Sequence, residues 1–426
     1  MPGSLPGEKR PRGRSEEMPP PVFSRSPRVL ILSAAVGAGH VRAAEALDAA
    51  FASSTFPGEA HHVDVLRFTN RAFRTLYARG YMELVNKAPD LLGWLYDRFD
   101  VPWKSSRLQQ GFETLNLGPF VRLLTHLKPD WALCTHFLPA AIIAWLRRKD
   151  RLTLPQATAV TDLDVHAFWL MQEVEHYFVA REEAKVYLEQ AGVPLDRISV
   201  PGIPIHPVFS LPRDKSAMRG LHGLDKDLPT VLVSVGGFGL DIAPKILEKL
   251  LAVRVPIQVV AVAGKSPDAR ARLDRVARAA RRTHRVHVLG FTTAMDELMA
   301  AADLLVGKAG GLTSSEALAR ELPLLIINPI PGQEERNSDH LLEEGAALRC
   351  HTLSTLSWKV ESLLVTPDRL SRLRAGAKAA ARPLACFDIV NTMAALLLAT
   401  PPGGLPAFPA PRPPHAQHRT RRRSSP

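Results

Sequence analysis

Residues 304–337, LLVGKAGGLTSSEALARELPLLIINPIPGQEERN, constrain the fold more than any other stretch of the chain. An apolar run at residues 304–306 reads as the end of a buried strand, and Gly310 and Gly311 break it. Thr313-Ser314-Ser315-Glu316 opens a helix through about Arg320, and Leu324-Leu325-Ile326-Ile327 is the next buried strand. Strand, glycine turn, helix and strand in that order make one β-α-β unit. The turn leaves backbone N–H groups without helical partners at a helix N-terminus, where the macrodipole also favours negative charge. Such a corner suits a phosphate, with Lys308 beside it and Glu316 one turn inside to reach a nucleotide sugar. A capped helix whose glycines serve turn geometry alone fits the same residues.

The same grammar recurs along the chain. Residues 28–34 (RVLILSA) form a strand, followed by Gly37-Ala38-Gly39-His40 and a helix rich in alanine. The turn lacks the third glycine of a dinucleotide fingerprint. His40 at the helix start is either a cap or a general base. Residues 61–66 read as a strand, as do 131–135, ending at His136, and 156–160, ending in Thr161-Asp162-Leu163-Asp164-Val165-His166. These strands deliver His or Asp at their carboxyl ends, where open α/β sheets place a ligand crevice. Asp162-Leu163-Asp164 also reads as a metal-binding Asp-x-Asp. Residues 177–180 are the last strand of this half, and 202–207 form a proline-stiffened linker. The cycle restarts with strands at 230–235, 257–262 and 286–289, and with Gly236-Gly237-Phe238-Gly239 after the first of them. A last helix at 388–399 is long enough to pack back across both halves.

The expected architecture is α/β, with two Rossmann-like domains facing each other across a crevice. Residues 28–203 form the first domain, 204–378 the second and 379–400 a closing helix, between disordered tails at 1–27 and 401–426. The formal net charge of +12 points to an anionic partner, although part of it lies in the arginines of the last 26 residues. Three widely spaced cysteines, Cys134, Cys350 and Cys386, form no disulfide or zinc pattern and suit a reducing compartment. The first 27 residues are no signal peptide, and no later stretch reads as a membrane span. Residues 68–103 hold eight of the chain's 27 aromatics, with Arg67, Arg71, Arg74, Arg79 and Lys87 interleaved or adjacent. Phe73, Tyr77, Tyr81 and Leu84 recur at helical spacing. This segment is either a helix packed into the core or a surface whose aromatics enter a lipid headgroup layer. Aromatic and basic residues also suit single-stranded nucleic acid, but no recognition module accompanies them.

Taken in order, these motifs resemble one family. They are GAGH before an alanine-rich helix, TD-x-x-x-H-x-x-W from Thr161, G-I-P-I-x-P from Gly202 and GG-x-G from Gly236. LGF at Leu289, GGLT-x-x-EA from Gly310 and PGQE-x-x-N from Pro331 complete the set. The chain resembles the monogalactosyldiacylglycerol synthases and processive diacylglycerol glucosyltransferases from about residue 28 to 399. The resemblance implies a GT-B fold and an inverting transfer of glucose or galactose from a UDP-sugar to diacylglycerol, without metal or cofactor. It implies a cytoplasmic protein, peripheral on an anionic membrane surface, with no nucleic-acid partner. His40 would be the base, Gly236 and Gly237 would lie near the diphosphate, and Phe291 against uracil. Lys308, Gly310, Gly311 and Thr313 would hold phosphate, Glu316 the ribose, and Gln333, Glu334 and Asn337 the donor sugar. Gly39, His136, Asp162, His166 and Trp94 would lie on the acceptor side. Ala309 stands where the family usually has proline, which loosens the turn beside Lys308. Rival readings are an N-acetylglucosaminyl transferase acting on a polyprenyl-linked acceptor, a UDP-N-acetylglucosamine 2-epimerase and a non-catalytic UDP-sugar-binding regulator.

Overall fold

The computed structural model describes residues 26–70, 73–75, 88–103, 117–236, 240–280 and 284–400. Residues 1–25 and 401–426 of the two tails, Arg71, Tyr77, Arg79, Tyr81, Leu84, Lys87 and Gly237 lie outside them. Two six-stranded sheets carry the fold. The first contains β1 (Arg28–Ser33), β2 (Glu59–Asp64), β3 (Trp131–Cys134), β4 (Gln156–Ala159), β5 (His176–Phe178) and β6 (Ile198–Ser199). Its order is β2-β1-β3-β4-β5-β6, and every pair is parallel. The second contains β7 (Thr230–Ser234), β8 (Gln258–Val262), β9 (Arg285–Leu289), β10 (Leu304–Gly307), β11 (Leu324–Ile327) and β12 (Ala347–Cys350). Its order is β12-β11-β10-β7-β8-β9, again all parallel. Helices cover both faces, which is why strands such as Leu304–Gly307 are buried throughout rather than alternating.

Strand order reverses between β1 and β3 in the first sheet and between β7 and β10 in the second. Ligands of open α/β sheets bind at such switch points, beyond the carboxyl ends of the strands. The GAGH turn follows β1 and the Lys308–Gly311 turn follows β10, so each domain brings its glycine turn to its own switch point.

Several elements differ from the sequence reading. β2 stops at Asp64, because that side chain accepts hydrogen bonds from Leu66 N and Ala35 N and turns residues Val65–Phe68 into a 3-10 helix. β6, of two residues, and β12 carry too little pattern to be read from sequence. The linker is a packed element: Ile203 and Ile205 are buried, and Gly202 has φ +106° with a Cβ site 2.5 Å from Arg382 Cβ. Arg320 holds the chain beyond it through the Val208 and Leu211 carbonyls.

The aromatic stretch divides. Phe68, Phe73 and Trp103 pack against the first core, and Trp103 Nε1 donates to Ala191 O. Trp94 and Phe99, on the helix Pro89–Phe99, are 59% and 52% exposed.

Counted as one stretch, Pro367–Ala399 has the length and composition of a membrane span. It is two helices, Pro367–Ala380 and Ala385–Ala399, and the second buries Cys386, Ile389, Val390 and Met393. Those side chains join Val29, Ile31, Leu47 and Trp131 in one apolar cluster, so this helix serves as core for the first sheet.

Candidate active site

His40 opens the helix Gly39–Ser53 at the end of the GAGH turn, where Gly37 takes φ +81°. Its Nδ1 lies 3.0 Å from the Thr135 carbonyl, which can only accept. Nδ1 therefore carries the proton, and Nε2 keeps its lone pair. The Thr161 hydroxyl oxygen, 2.8 Å from Nδ1, is a second acceptor. Thr135 Oγ1 donates back to the His40 carbonyl at 2.8 Å, so the residue that follows β3 fixes both backbone and ring. Burial lowers the imidazole pKa to about 4, with the Thr135 bond opposing it. At neutral pH the ring is thus uncharged and held in one orientation. It does not cap its own helix, which has no side-chain cap.

The residues expected on the acceptor side take unequal parts. His136 touches the His40 ring edge-on at 4.4 Å, but its Nδ1 accepts from Leu138 N and caps the helix Phe137–Arg148. His166 spends both nitrogens, accepting from Phe168 N and donating to the Tyr96 carbonyl at 2.7 Å. It therefore fastens the Pro89–Phe99 helix to the first sheet. Gly39 lies against the second domain, its Cβ site 3.8 Å from Leu312. Asp162 is 5% exposed and accepts from Gln333 Nε2 at 2.5 Å. Burial raises its pKa to about 6, against the lowering effect of Gln333 and Asn337. Asp164 turns to Arg336 at 3.0 Å. The two carboxylates of the Asp-x-Asp pattern thus go to different partners.

On the donor side, Gly310 caps the helix Gly311–Ala319 without a side-chain hydrogen bond. A Cβ on Gly311 would stand 2.1 Å from the Thr161 carbonyl, so only glycine lets the two domains meet here. Thr313 is in the first turn and partly exposed. Lys308 is 8% exposed; burial lowers its pKa while nearby Glu334 opposes that shift. Glu334 accepts from Ile330 N and is raised by burial. Gly236, two residues past β7, has φ +65° and no described residue within 4 Å of its Cβ site. Phe291 is 63% exposed, with Lys265 Nζ 4.9 Å from its ring centroid.

Two donor-side residues have partners that sequence reasoning missed. Glu316, 2% exposed, is paired through Oε1 with Arg42 of the first domain, while its Oε2 is buried without a hydrogen-bond partner among the described residues. Asn337 is fully buried; it accepts from Leu163 N and donates to the Ala309 carbonyl. Its amide joins the domains and steadies the turn where proline is replaced. Arg336 was also missed, although it sits inside the PGQE-x-x-N run. Its partners Asp97, Asp100 and Asp164 lie 172 to 239 residues away, beyond any local pattern.

Two parallel sheets whose switch points face each other, one with a neutral histidine and one with a glycine–lysine corner, define a GT-B glycosyltransferase. Residues 40–205 match the family described as monogalactosyldiacylglycerol (MGDG) synthase, and 230–380 match the glycosyltransferase family 28 C-terminal domain. The chain is 31% identical over 287 residues to a processive diacylglycerol beta-glucosyltransferase of Staphylococcus saprophyticus, covering 66% of this chain and 72% of that one. A Bacillus cereus protein of the same description is 29% identical over 385 residues, covering 87% and 94%. Among solved structures, MurG of Acinetobacter baumannii matches with TM-score 0.54 at 15% identity, over 86% of this chain and 99% of that one. The S. aureus MnaA–UDP co-structure matches with TM-score 0.56 at 13% identity, over 88% and 97%. The chain belongs to the diacylglycerol glycosyltransferase family that contains the MGDG synthases and the processive diacylglycerol beta-glucosyltransferases.

Proposed function

We propose that the protein transfers glucose or galactose from a UDP-sugar to 1,2-diacylglycerol at a membrane surface, with inversion. The observation that carries this reading is the His40 hydrogen bonding: Nδ1 faces the Thr135 carbonyl, and Nε2 has no hydrogen-bond partner among the described residues, at one switch point facing the other. The acceptor hydroxyl must lose a proton as it attacks the anomeric carbon, and Nε2 takes it. On the opposite side charge develops on the departing diphosphate. Lys308 and the N-terminus of the Gly311–Ala319 helix stabilise it, with no metal required. The partnerless Oε2 of Glu316 is positioned as an acceptor for a ribose hydroxyl, and exposed Phe291 offers a face to uracil. Gln333 and Glu334 line the donor-sugar side, and Gly236 leaves room for the diphosphate. Exposed Trp94 and Phe99 provide the contact with lipid, which makes the protein peripheral on the inner face of a membrane, with an anionic surface as its partner.

The test is transfer from labelled UDP-glucose and UDP-galactose to diacylglycerol in vesicles, read by lipid extraction with and without EDTA. Labelled glycolipid that persists under chelation is the expected result. Loss on chelation with rescue by manganese would return Asp162 and Asp164 to the site as ligands. Turnover of UDP-sugar with no lipid present would favour the epimerase reading instead.

A further inference from the structure

The helix Pro89–Phe99 has different neighbours on its two sides. Outward it shows Leu91, Trp94 and Phe99, each about half exposed. Inward it lies on the turn that leads into the helix Gln333–Glu343. The Tyr96 ring is 2.8 Å from where a Cβ on Gly332 would be, and a Cβ on Gly93 would meet Pro331 at 3.0 Å. Gly332 has φ +84°, so glycine is favoured there both by backbone conformation and by the ring against it. Arg336 then reaches across, to Asp97 at 3.0 Å, Asp100 at 2.6 Å and Asp164 at 3.0 Å. Its guanidinium also stands 5.1 Å from the Tyr96 ring centroid. Without this cation three carboxylates would repel one another across the junction, and the planar fork that serves all three is particular to arginine.

Gln333 and Arg336 are three residues apart on one helix and share a face. Gln333 holds Asp162 and Arg336 holds the Pro89–Phe99 helix, so that helix and the donor-sugar turn form one mechanical unit. We infer that Arg336 is a positioning residue that couples lipid contact at the Pro89–Phe99 helix to donor binding, so the sugar nucleotide is held more tightly at a bilayer than in solution. This rests on the reading above, that the donor is a UDP-sugar and that this helix meets lipid.

The full-length protein is titrated with UDP-glucose and with UDP-galactose, alone and with phosphatidylglycerol vesicles lacking diacylglycerol, so that no transfer occurs. Vesicle binding is followed separately by sedimentation. The expected result is a fall in donor Kd of about fivefold or more when vesicles are added, in the usual range of coupling between sites. Arg336→Ala should still sediment with vesicles but show the same donor Kd with and without them, and Arg336→Lys should restore only part of the change. Should Arg336→Ala fail to fold, Asp97→Asn, at a carboxylate 70% exposed, removes one arm of the clamp and should shrink the same fivefold change. Donor affinity in the parent protein that ignores vesicles overturns the inference, as does a full vesicle effect in Arg336→Ala. If the parent protein binds neither sugar nucleotide, or does not sediment, the underlying reading fails instead.

Discussion

The Thr135 carbonyl decides which nitrogen of His40 keeps a lone pair, and burial decides how readily that nitrogen takes a proton. His40→Ala is expected to cut kcat by about 10²–10⁴-fold, the usual contribution of general acid–base catalysis, in a protein that still melts cooperatively. Near-normal turnover of the folded variant would remove the assignment and move it to Asp162, since His136 is spent as a helix cap. The two buried groups also pull stability in opposite directions with pH. His40 titrates near 4 when folded and near 6.5 when unfolded, so in that window the unfolded chain binds more protons and stability rises with pH. Asp162 titrates at about 6 when folded, against about 3.9 unfolded, so there the folded chain binds more protons and stability falls as pH rises. Asp162→Asn removes only the second trend. Relative to the parent, the variant should gain up to about 3 kcal/mol between pH 4 and pH 7, read from denaturant midpoints. Parallel profiles would show that Asp162 does not hold its proton to high pH. Neither shift could be foreseen from sequence, because both arise from burial that only the fold creates, and even the partners that oppose them are distant: Thr135 is 95 residues from His40 and Gln333 is 171 from Asp162.

At the level of elements, the glycine turns were the legible part. Gly310-Gly311 between two apolar runs, and GAGH after residues 28–34, are local patterns, and the structure places both at helix starts beside a strand end. What Gly311 is for was not legible. Its need comes from the Thr161 carbonyl of the other domain rather than from its own φ. Gly311→Ala is therefore expected to hold the domains apart, with a loss of activity on the order of 10²-fold, as misplacement by about 1 Å can cause. Small-angle X-ray scattering should show a larger radius of gyration for the variant, and parent-level activity at an unchanged radius would contradict this account. The aromatic stretch was legible only as a composition. Its division into core, junction and surface depends on side chains meeting partners far along the chain, such as Trp103 on Ala191 and Tyr96 on Gly332. The short strands β6 and β12 were missed because a few residues between longer neighbours show no period.

Over the whole molecule, the two-sheet plan was legible because the strand–turn–helix cycle restarts after the linker, whereas the way the halves hold each other was not. Among the described residues, Arg42, Gln333, Arg336 and Asn337 bridge them near the crevice, and Arg181 reaches Glu344 beside them. The helix Ala385–Ala399 bridges them again by joining the core of the first sheet. A chain ending at residue 384 keeps every strand of both sheets but uncovers that apolar face. It is expected to bind a hydrophobic dye and to lose most of its cooperative unfolding, measured by calorimetry. A sharp transition at the parent temperature would mean the helix is dispensable. The same packing sets a timetable. Trp131 Nε1 meets Thr400 Oγ1 across 269 residues of chain, so the half that carries His40 is made first and completed last. During synthesis its apolar face stands open until the helix Ala385–Ala399 leaves the ribosome, an interval in which exposed apolar surface favours aggregation.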